Sequence, residues 1–527
     1  MPPTHDGVPI TSSPVSHPSG SEYLSLVVRT PVYDAADRTS LEYMPGMSRR
    51  LQNDIYVKRE DTQPVHSFKV RGAYARMVAL TDDEKRCGVV TASAGNHAQG
   101  VAVSGRIMGV SALIVMPTMT PKIKVDAVRH FGGEVLLWGD NFDEAKRRAL
   151  QIARSEGRVF IPPFDDPYVI AGQGTIGVEI FQQASTVDRV FVPVGGGGLA
   201  AGVAVVLKQL NPRISVIGVE PEGSACLSAA LEAGSPVTLD RVSLYAEGVA
   251  VARIGDETFR VCRDNLDGVI TVNSDEISAA VKDIFDDSRA VAEPSGALAL
   301  AGLKKYVATH GIQGETLVHV LSGANLNFHS LRYISERAEL GECGEALLGV
   351  TIPERKGAFL DFCRVLGGRS VTEFNYRVDG HDRARIFVGV QLREGDRERD
   401  DIIADLRERS YDVVDLSADD AAKEHVRYMI GGRVDRHFNE RVFSIQFPEH
   451  PGALLHFLHV LGAHWNISLF HYRSHGMDYG RVLCGFDGTD SSAGDGDGDD
   501  FDYYMEQIGY QFNEVTDSVA YTYFLRS

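Results

Sequence analysis

The sequence lacks several features that would place it in other classes of protein. Its six cysteines are scattered and form no Cys-x-x-Cys pair, which excludes a disulfide framework and a thiolate zinc site and favours a cytoplasmic protein. No apolar run reaches the ~18 residues that a membrane span needs. The first 28 residues contain no Lys or Arg, so we expect no signal or transit peptide. We predict a disordered, Ser-, Pro- and His-rich lead over residues 1–21.

Basic residues are also in short supply, with 53 Lys and Arg against 72 Asp and Glu and a formal net charge of −19. Nucleic acids and anionic membranes are bound by clustered Lys and Arg, so neither is an expected partner. Seven aspartates lie between Asp487 and Asp502, and we expect this run to form a solvated loop. A calcium-binding loop is the alternative, and its template requires a glycine at the sixth position and a glutamate at the twelfth. Only a loop that starts at Asp495 has the glutamate, and its sixth residue is Asp500 in place of glycine.

The body of the chain alternates between short β-branched runs and Ala-rich segments with a helical period. This alternation predicts an α/β fold with largely parallel strands and helices on both faces. It continues to about Ile334, so we expect two α/β lobes within residues 22–340. The predicted strands are residues 54–58, 88–91, 112–116, 189–194, 215–219 and 316–321, and the predicted helices include residues 98–108, 143–155 and 199–210.

An internal repeat follows, in which residues 353–362 align with residues 448–457 at an offset of 95 residues. Each copy has an alternating strand, a turn and an amphipathic helix, which predicts a βαβ module. Neither module alone buries much core, so we expect a paired α+β domain, with modules at residues 345–420 and 440–527. Tyr376 and Tyr472 occupy equivalent positions in the two copies.

Lys69 begins a predicted helix beside the apolar residues Phe68 and Val70. Desolvation lowers the pKa of a lysine and makes it a competent Schiff-base nucleophile. The alternative is a surface lysine in a first helical turn, because lysines are rarely buried.

A second segment, residues 91–100, follows a strand directly and opens a helix with small residues. Free N–H groups at a helix start suit a carboxylate, and the amide of Asn96 could donate to a ring oxygen. The alternative is an ordinary turn with a capping Ser or Asn. His97 has no second histidine at ligand spacing, so we expect no metal.

Four consecutive glycines, Gly195 to Gly198, stand at a strand-to-helix junction and indicate a phosphate site. The spacing through Ala200 also resembles a dinucleotide fingerprint, with Glu220 as the residue for a ribose hydroxyl. A P-loop is excluded, since no Gly-Lys-Ser/Thr closes the motif. Ser322 follows another strand, where its hydroxyl could bond a heteroaromatic nitrogen or simply belong to a turn.

Taken together, these segments supply a desolvated lysine, an amide for a ring oxygen, a phosphate cradle and a hydroxyl for a ring nitrogen. Pyridoxal phosphate requires all four contacts, whereas a nicotinamide cofactor has no use for the lysine.

In this order, the motifs resemble those of the fold-type II pyridoxal-phosphate enzymes, and in particular the biosynthetic threonine dehydratases (threonine ammonia-lyases). The resemblance covers nearly the whole chain from about Glu22, and the carboxy-terminal repeat resembles that family's paired ACT-like regulatory modules. It implies a two-lobed catalytic domain like that of the tryptophan synthase β-subunit. The matching runs are Lys58-Arg59-Glu60-Asp61, His66-Ser67-Phe68-Lys69, Ser93-Ala94-Gly95-Asn96-His97, Gly195-Gly196-Gly197-Gly198-Leu199, Ala292-Glu293-Pro294-Ser295-Gly296-Ala297 and Ser322-Gly323-Ala324-Asn325.

The resemblance also implies roles for individual residues. Lys69 would bind the cofactor covalently and take the substrate α-proton, with Phe68 beside the ring. The remaining implied contacts are Asn96 to the ring 3-oxygen, the amides of Gly195, Gly196, Gly197, Gly198 and Leu199 to the phosphate, Ser322 to the ring nitrogen, and Ser93, Ala94, Gly95 and His97 to the substrate carboxylate.

The implied reaction is conversion of L-threonine to 2-oxobutanoate and ammonia, the first step of isoleucine biosynthesis. A serine at the ring nitrogen does not hold it protonated, which disfavours a long-lived carbanion and favours loss of the β-hydroxyl. Racemisation is not expected, because Ala94 stands where the related serine racemases carry a second catalytic serine. The alternatives are a serine dehydratase or another β-elimination or β-replacement enzyme, a catalytically silent amino-acid sensor, and the dinucleotide enzyme.

By resemblance, isoleucine would inhibit through the repeats, valine would counter it, and the assembly would be a homotetramer. Tyr376 and Tyr472 are the candidate effector contacts, with cross-strand packing as the alternative.

Overall fold

The computed structural model describes most of the chain, in two compact units. One unit is Met1–Asn273 with Ile284–Asn325, and the other is Ser274–Asp283 with Leu326–Ser527. Residues 1–16 of the predicted lead and residues 488–500 of the run from Asp487 to Asp502 lie outside the described residues. The described residues are 17–184, 186–328, 330–341, 345–353, 362, 365–366, 371–377, 383–392, 395–426, 440–448, 466–473, 479–487 and 501–525.

The first unit alternates strands and helices, as predicted. Its helices are α1 Gly20–Arg29, α2 Pro45–Leu51, α3 Lys69–Val78, α4 Asp82–Cys87, α5 Asn96–Met108, α6 Lys122–His130, α7 Phe142–Glu156, α8 Pro167–Gln183, α9 Gly198–Leu210, α10 Cys226–Ala233, α11 Asp256–Asn265, α12 Ser274–Ser288 and α13 Pro294–His310. The first ten residues of α12 belong to the second unit. Its strands are β1 Leu41–Tyr43, β2 Asp54–Arg59, β3 Val89–Ala92, β4 Ala112–Met116, β5 Glu134–Leu137, β6 Val159–Phe160, β7 Arg189–Pro193, β8 Ser215–Pro221, β9 Gly268–Val272 and β10 Thr316–Leu321.

These strands form two sheets, which confirms the two-lobed α/β prediction. The larger has the order β1-β2-β10-β7-β8-β9 and is parallel except for β1, and the smaller is parallel with the order β5-β4-β3-β6. All six predicted strands are present, with ends shifted by two residues at most.

Helix α1 corrects the expected end of the lead. It begins at Gly20, because the side chains of Ser19 and Glu22 cap each other's backbone N–H groups in a capping box. Tyr23 and Val27 of this helix are buried in the core of the larger sheet. Residues 20 and 21, which the predicted lead included, therefore belong to a helix.

Close packing of α8 and α9 places the start of α9 beside the larger sheet. A Cβ on Gly202 of α9 would lie 2.4 Å from the carbonyl oxygen of Ile170 in α8. The two helices are buried along most of their length. The strand-to-helix junction before α9 is consequently held in a rigid core.

The second unit contains the internal repeat, which the structure confirms as two similar sheets. Their strand orders, β12-β13-β11-β14 and β16-β17-β15-β18, are equivalent, and all the pairings are antiparallel. Each sheet thus has four strands, two more than the predicted βαβ module. The elements are α14 Ser330–Gly341, β11 Glu345–Pro353, β12 Val371–Arg377, β13 Arg383–Gln391, α15 Asp396–Glu408, β14 Asp412–Asp415, α16 Asp420–Glu424, β15 Glu440–Pro448, β16 Asn466–Arg473, β17 Tyr479–Asp487, α17 Phe501–Gln507, β18 Phe512–Glu514 and α18 Val519–Phe524.

In the part of the chain that the structure describes, no helix is both long and apolar enough to cross a membrane.

Candidate active site

A cavity lies in the first unit, beside the carboxyl ends of β7 and β10. Ligands of parallel α/β sheets characteristically bind at this edge. The four chemistry-bearing segments predicted from the sequence all contribute to it. The lining residues are Phe68, Lys69, Asn96, Phe164, Pro193, Gly195, Gly196, Gly197, Gly198, Leu199, Gly248, Val249, Glu293, Ser295 and Ser322.

Lys69 is the first residue of α3, and the segment before it is anchored to the end of β10. The amide of Phe68 donates to the carbonyl of Ser322 at 3.1 Å, and the amide of Ala324 donates to the carbonyl of His66 at 2.9 Å. These two bonds fix the start of α3 against the sheet edge. They therefore determine where the lysine side chain enters the cavity.

The amine of Lys69 is desolvated inside the cavity. Its Nζ donates to the carbonyl of Pro163 at 3.1 Å and lies 5.2 Å from the ring centroid of Phe68. Burial lowers the pKa of Lys69 to about 8, although the nearby charge of Glu293 opposes this shift. A substantial fraction of the amine is thus neutral, and nucleophilic, at slightly alkaline pH.

Gly195 to Gly198, which we call the glycine loop, lead into the start of α9, which has no side-chain cap. Gly197 has φ +88°, which favours glycine, and no side chain caps the helix. The first N–H groups of a helix have no partner within it, so an anion bound here would satisfy them.

The glycine loop also packs too closely against its neighbours to carry side chains. A Cβ on Gly195 would lie 2.8 Å from Cα of Val249, and a Cβ on Gly196 would lie 2.1 Å from the ring of Phe164. The hydroxyl of Thr258 donates to the carbonyl of Gly196 at 2.7 Å. The loop is accordingly held in place from both sides.

Asn96 begins α5, and its amide is bonded on both sides. Its Nδ2 donates to Glu293 at 2.8 Å, and its Oδ1 accepts from Asn325 at 2.6 Å. The three preceding residues, Ser93, Ala94 and Gly95, are half-buried, and Gly95 offers no side-chain cap to α5. This loop thus presents uncapped helix N–H groups next to Asn96.

His97 turns its ring away from this loop. The ring Nε2 donates to the carbonyl of Ile161 at 3.0 Å, and burial lowers the pKa of His97 to about 3, so the ring is neutral. For its predicted contact with a substrate carboxylate, His97 therefore has only its backbone available.

Ser322 directly follows β10 and is buried, with 3% of its surface exposed. Its Oγ donates to the carbonyl of Ser295 at 3.3 Å. The Oγ of Ser295 in turn accepts from the amide of Gly248 at 2.8 Å. The hydroxyl of Ser322 is thus held at the cavity wall.

Glu293 is a lining residue to which the sequence analysis assigned no role. Its burial raises the pKa of the carboxyl to about 7, and the hydrogen bond from Asn96 opposes this shift. The sequence offered one signal for it, an acidic residue in a run of small and apolar residues around Pro294. Phe164 and Val249 are further lining residues that carry no recognisable motif.

Glu220 does not serve the dinucleotide alternative. Its buried carboxylate accepts from the amides of Leu227 and Ser228 at 2.7 and 2.9 Å. It is therefore bound to the first turn of α10 and is not available to a ribose.

Tyr376 and Tyr472 lie in the second unit, at equivalent positions of β12 and β16. Their backbone partners in the sheets are Ile386 and Val482. This equivalence agrees with the repeat, and their contact with an effector stays a prediction.

The cavity fits pyridoxal phosphate. The desolvated amine of Lys69 can attack the carbonyl carbon of an aldehyde. The uncapped start of α9 can bind a phosphate through its free N–H groups. Asn96 and Ser322 add an amide and a hydroxyl to the same cavity, and both groups can bond the polar atoms of a heteroaromatic ring.

Comparisons with known proteins agree with this chemistry. Residues 32–323 match the family described as pyridoxal-phosphate dependent enzyme, and residues 336–426 and 432–525 match the C-terminal regulatory domain of threonine dehydratase. L-Threonine dehydratase biosynthetic IlvA is 63% identical in Salmonella typhimurium and 62% identical in Escherichia coli, each over 515 residues that cover 98% of this chain and 99% of the relative.

A solved structure, the processed form of threonine deaminase isoform 2 from Solanum lycopersicum, is also similar. It is 49% identical, with a TM-score of 0.60 over 60% of this chain and 93% of that chain. The chain belongs to the threonine dehydratase family of pyridoxal-phosphate-dependent enzymes and carries that family's C-terminal regulatory domain.

Proposed function

We propose that this protein deaminates L-threonine to 2-oxobutanoate and ammonia, as the first step of isoleucine biosynthesis. The observation that carries the proposal is the convergence of Lys69, Asn96, Ser322 and the glycine loop on one cavity, in a chain of this family. When bound, pyridoxal phosphate withdraws electrons from the α-carbon of an amino acid and so weakens its C–H bond.

The lining of the cavity supports a role for each of the predicted residues in holding the cofactor. Lys69 would bind it covalently, and Phe68 would pack beside its ring. The backbone amides of Gly195, Gly196, Gly197, Gly198 and Leu199 would hold its phosphate. Asn96 would donate to the ring oxygen, and Ser322 would face the ring nitrogen.

The substrate carboxylate binds at the start of α5, where Ser93, Ala94 and Gly95 precede a helix without a side-chain cap. His97 contributes its backbone N–H to this site. The α-carbon of the substrate then lies within reach of Lys69, whose Nζ accepts the α-proton in its neutral form. The lowered pKa of Lys69 makes this proton transfer possible near neutral pH.

Elimination is favoured over racemisation by two residues. Ser322 would leave the ring nitrogen unprotonated, which favours loss of the β-hydroxyl over return of a proton to the α-carbon. As Lys69 takes the α-proton, the electron pair of the Cα–H bond would form the Cα=Cβ bond, and the hydroxyl would leave with the C–O pair and a proton, as water. Hydrolysis of the resulting enamine, through its imine tautomer, would release 2-oxobutanoate and ammonia. Ala94 cannot return a proton from the opposite side, because its methyl group holds none that exchanges.

Substrate comparison tests this proposal. Threonine should yield a 2-oxo acid faster than serine, and O-acetylserine should not be converted to a β-substituted product. Absence of a 2-oxo acid from threonine, with the cofactor bound, would overturn the assignment. A catalytically silent sensor would show no visible cofactor band, whereas we expect such a band and its loss in Lys69→Ala.

We further propose that isoleucine inhibits through the two modules of the second unit and that valine counters it, with Tyr376 and Tyr472 as effector contacts. Support comes from the match to a threonine dehydratase regulatory domain and from the equivalent register of the two tyrosines. Tyr376→Ala or Tyr472→Ala should weaken inhibition by isoleucine without changing the basal rate. Tyr503→Ala, at an exposed tyrosine of α17, is the matched control.

The corresponding domain organisation is a catalytic domain at residues 22–340 and ACT-like modules at residues 345–420 and 440–527. We propose a cytoplasmic location, which the scattered cysteines support, and a homotetramer, which the resemblance to the family implies. Light scattering should give about four times the mass of one chain, and a monomer mass would contradict it.

A further inference from the structure

The amide of Asn96 has one allowed orientation. Its Nδ2 faces the carboxylate of Glu293 at 2.8 Å, and its Oδ1 faces the amide nitrogen of Asn325 at 2.6 Å. If the Asn96 amide were rotated by half a turn, its oxygen would face the carboxylate of Glu293. Its NH₂ group would then face the NH₂ group of Asn325. Because an NH₂ group has two N–H bonds, Asn96 keeps its second N–H for a ligand in the cavity.

Both partners of Asn96 are themselves held in place. The Nδ2 of Asn325 also donates to the carbonyl of Val65 at 2.8 Å. The carboxylate of Glu293 accepts from the backbone of Asn325 as well as from Asn96. It packs so closely against the chain that a Cβ on Gly323 would lie 2.7 Å from its Oε1.

Glu293 does not have the local role that its position in the chain suggests. It is the N-cap residue of α13, where an acidic side chain commonly bonds the first helical amides, yet it makes no side-chain cap bond. Its carboxylate instead reaches a residue 197 positions earlier in the chain. Burial of a carboxyl costs free energy, so its place in this cavity indicates a role at the site.

Charged groups face Glu293 from three other elements. Lys69 of α3 lies in the same cavity, and Lys124 of α6 and Glu247 act on its carboxyl from a distance. Lys124 pairs with Glu247 at 2.8 Å. The direct hydrogen bond from Asn96 therefore distinguishes Glu293 from the other charged groups around it.

We propose that Glu293 and Asn325 are positioning residues that orient the Asn96 amide, so that its second N–H meets the ring oxygen of the cofactor. We call this pair the Asn96 clamp. The inference rests on the proposed function, because it assumes that pyridoxal phosphate binds in this cavity. It assigns the clamp no proton transfer and no direct contact with the substrate.

A double-mutant cycle on cofactor affinity tests the clamp. The dissociation constant of pyridoxal phosphate is measured by titrating the full-length apoprotein of Asn96→Ala, Glu293→Ala and the double variant. Each single variant should raise the constant about tenfold, and the double variant no further, since the clamp acts only through Asn96. Independent effects, which would multiply to about a hundredfold in the double variant, would overturn the proposal.

Two further variants keep the result decisive if Glu293→Ala does not fold. Asn325→Ala should raise the dissociation constant in the native background and have no effect in the Asn96→Ala background. Glu220→Ala removes another buried glutamate of the same unit, outside the cavity, and should leave the constant unchanged. An equal effect of Glu220→Ala would show a general response to losing a buried carboxylate and would refute the clamp.

The visible absorption band of the bound cofactor supplies a second readout, because it responds to donors at the ring oxygen. Asn96→Ala and Glu293→Ala should change the band by the same amount, and different changes would contradict the clamp. If the native protein binds no cofactor, the proposed function and the clamp both fail. If it binds the cofactor and the cycle is additive, only the clamp fails.

Discussion

Replacing Gly196 by alanine should weaken cofactor binding, because the added methyl group has no room. Its Cβ would lie 2.1, 2.2 and 2.4 Å from the Cδ1, Cγ and Cε1 atoms of Phe164. Ordinary contacts between carbon atoms are about 3.5–4.0 Å. The overlap thus exceeds 1 Å at three ring atoms, and either the ring or the glycine loop must move.

The backbone of Phe164 restricts the first of these movements. Its Cα and carbonyl oxygen lie 3.2 Å from the position that a Cβ on Gly198 would occupy, so this segment already packs against the loop. Overpacking of this kind costs about 1–3 kcal/mol. If the strain falls on the bound form of the loop, the cofactor dissociation constant should rise between about fivefold and about a hundredfold.

The assay is a titration of apoprotein with pyridoxal phosphate, followed by its visible absorption. Gly268→Ala is the matched control: its Cβ would make one ordinary contact, 3.6 Å from Ile217, and should leave the affinity unchanged. Adding Phe164→Ala to Gly196→Ala should recover part of the lost affinity. Native affinity in Gly196→Ala would refute the steric reasoning.

Three further predictions concern the surroundings of the cavity. Arg71→Met should destabilise the protein by about 3–5 kcal/mol in urea unfolding, because it removes the bonds at 2.8 and 2.6 Å to the buried carboxylates of Glu60 and Glu179; a loss below about 1 kcal/mol would show that the network reorganises. In the apoprotein, the reaction rate of Lys69 with free pyridoxal should rise with pH to a midpoint near 8, since burial lowers its pKa to about 8 and only the neutral amine reacts; a midpoint near 10.5, the value of an unperturbed lysine, would contradict the desolvation. Asp165→Ala should cost about 0.5–2 kcal/mol of thermal stability, because its carboxylate accepts three amides at the start of α11 at 3.0–3.2 Å; an unchanged melting temperature would contradict this capping role.

The central strands of the fold could be predicted because parallel strands are buried on both faces. Such strands read as continuous apolar runs, as in β4 Ala112–Met116. The edge strand β5 Glu134–Leu137 carries no such signal, because its residues are exposed or half-buried. Two of the four strands in each module were also not predicted, since the repeat indicated only a βαβ unit per copy.

The site could be predicted where one segment carries its own chemistry. Lys69 and the glycine loop each have a local pattern that limits the possible ligands. Glu293 has none, because its role depends on a contact with Asn96 across 197 residues. The wrong expectation for Glu220 has the same cause. Its spacing from the glycine loop suited a ribose contact, but its carboxylate accepts from the first amides of α10.

The most direct test of the central claim is the amount of 2-oxobutanoate and ammonia formed from L-threonine by the native protein and by Lys69→Ala, each saturated with pyridoxal phosphate. The native protein should form the two products in equal amounts. Lys69→Ala should be slower by at least about a thousandfold, since it loses both the attachment of the cofactor and the group that accepts the α-proton. Equal rates in the two proteins, or no 2-oxo acid from the native protein with its cofactor bound, would contradict the account.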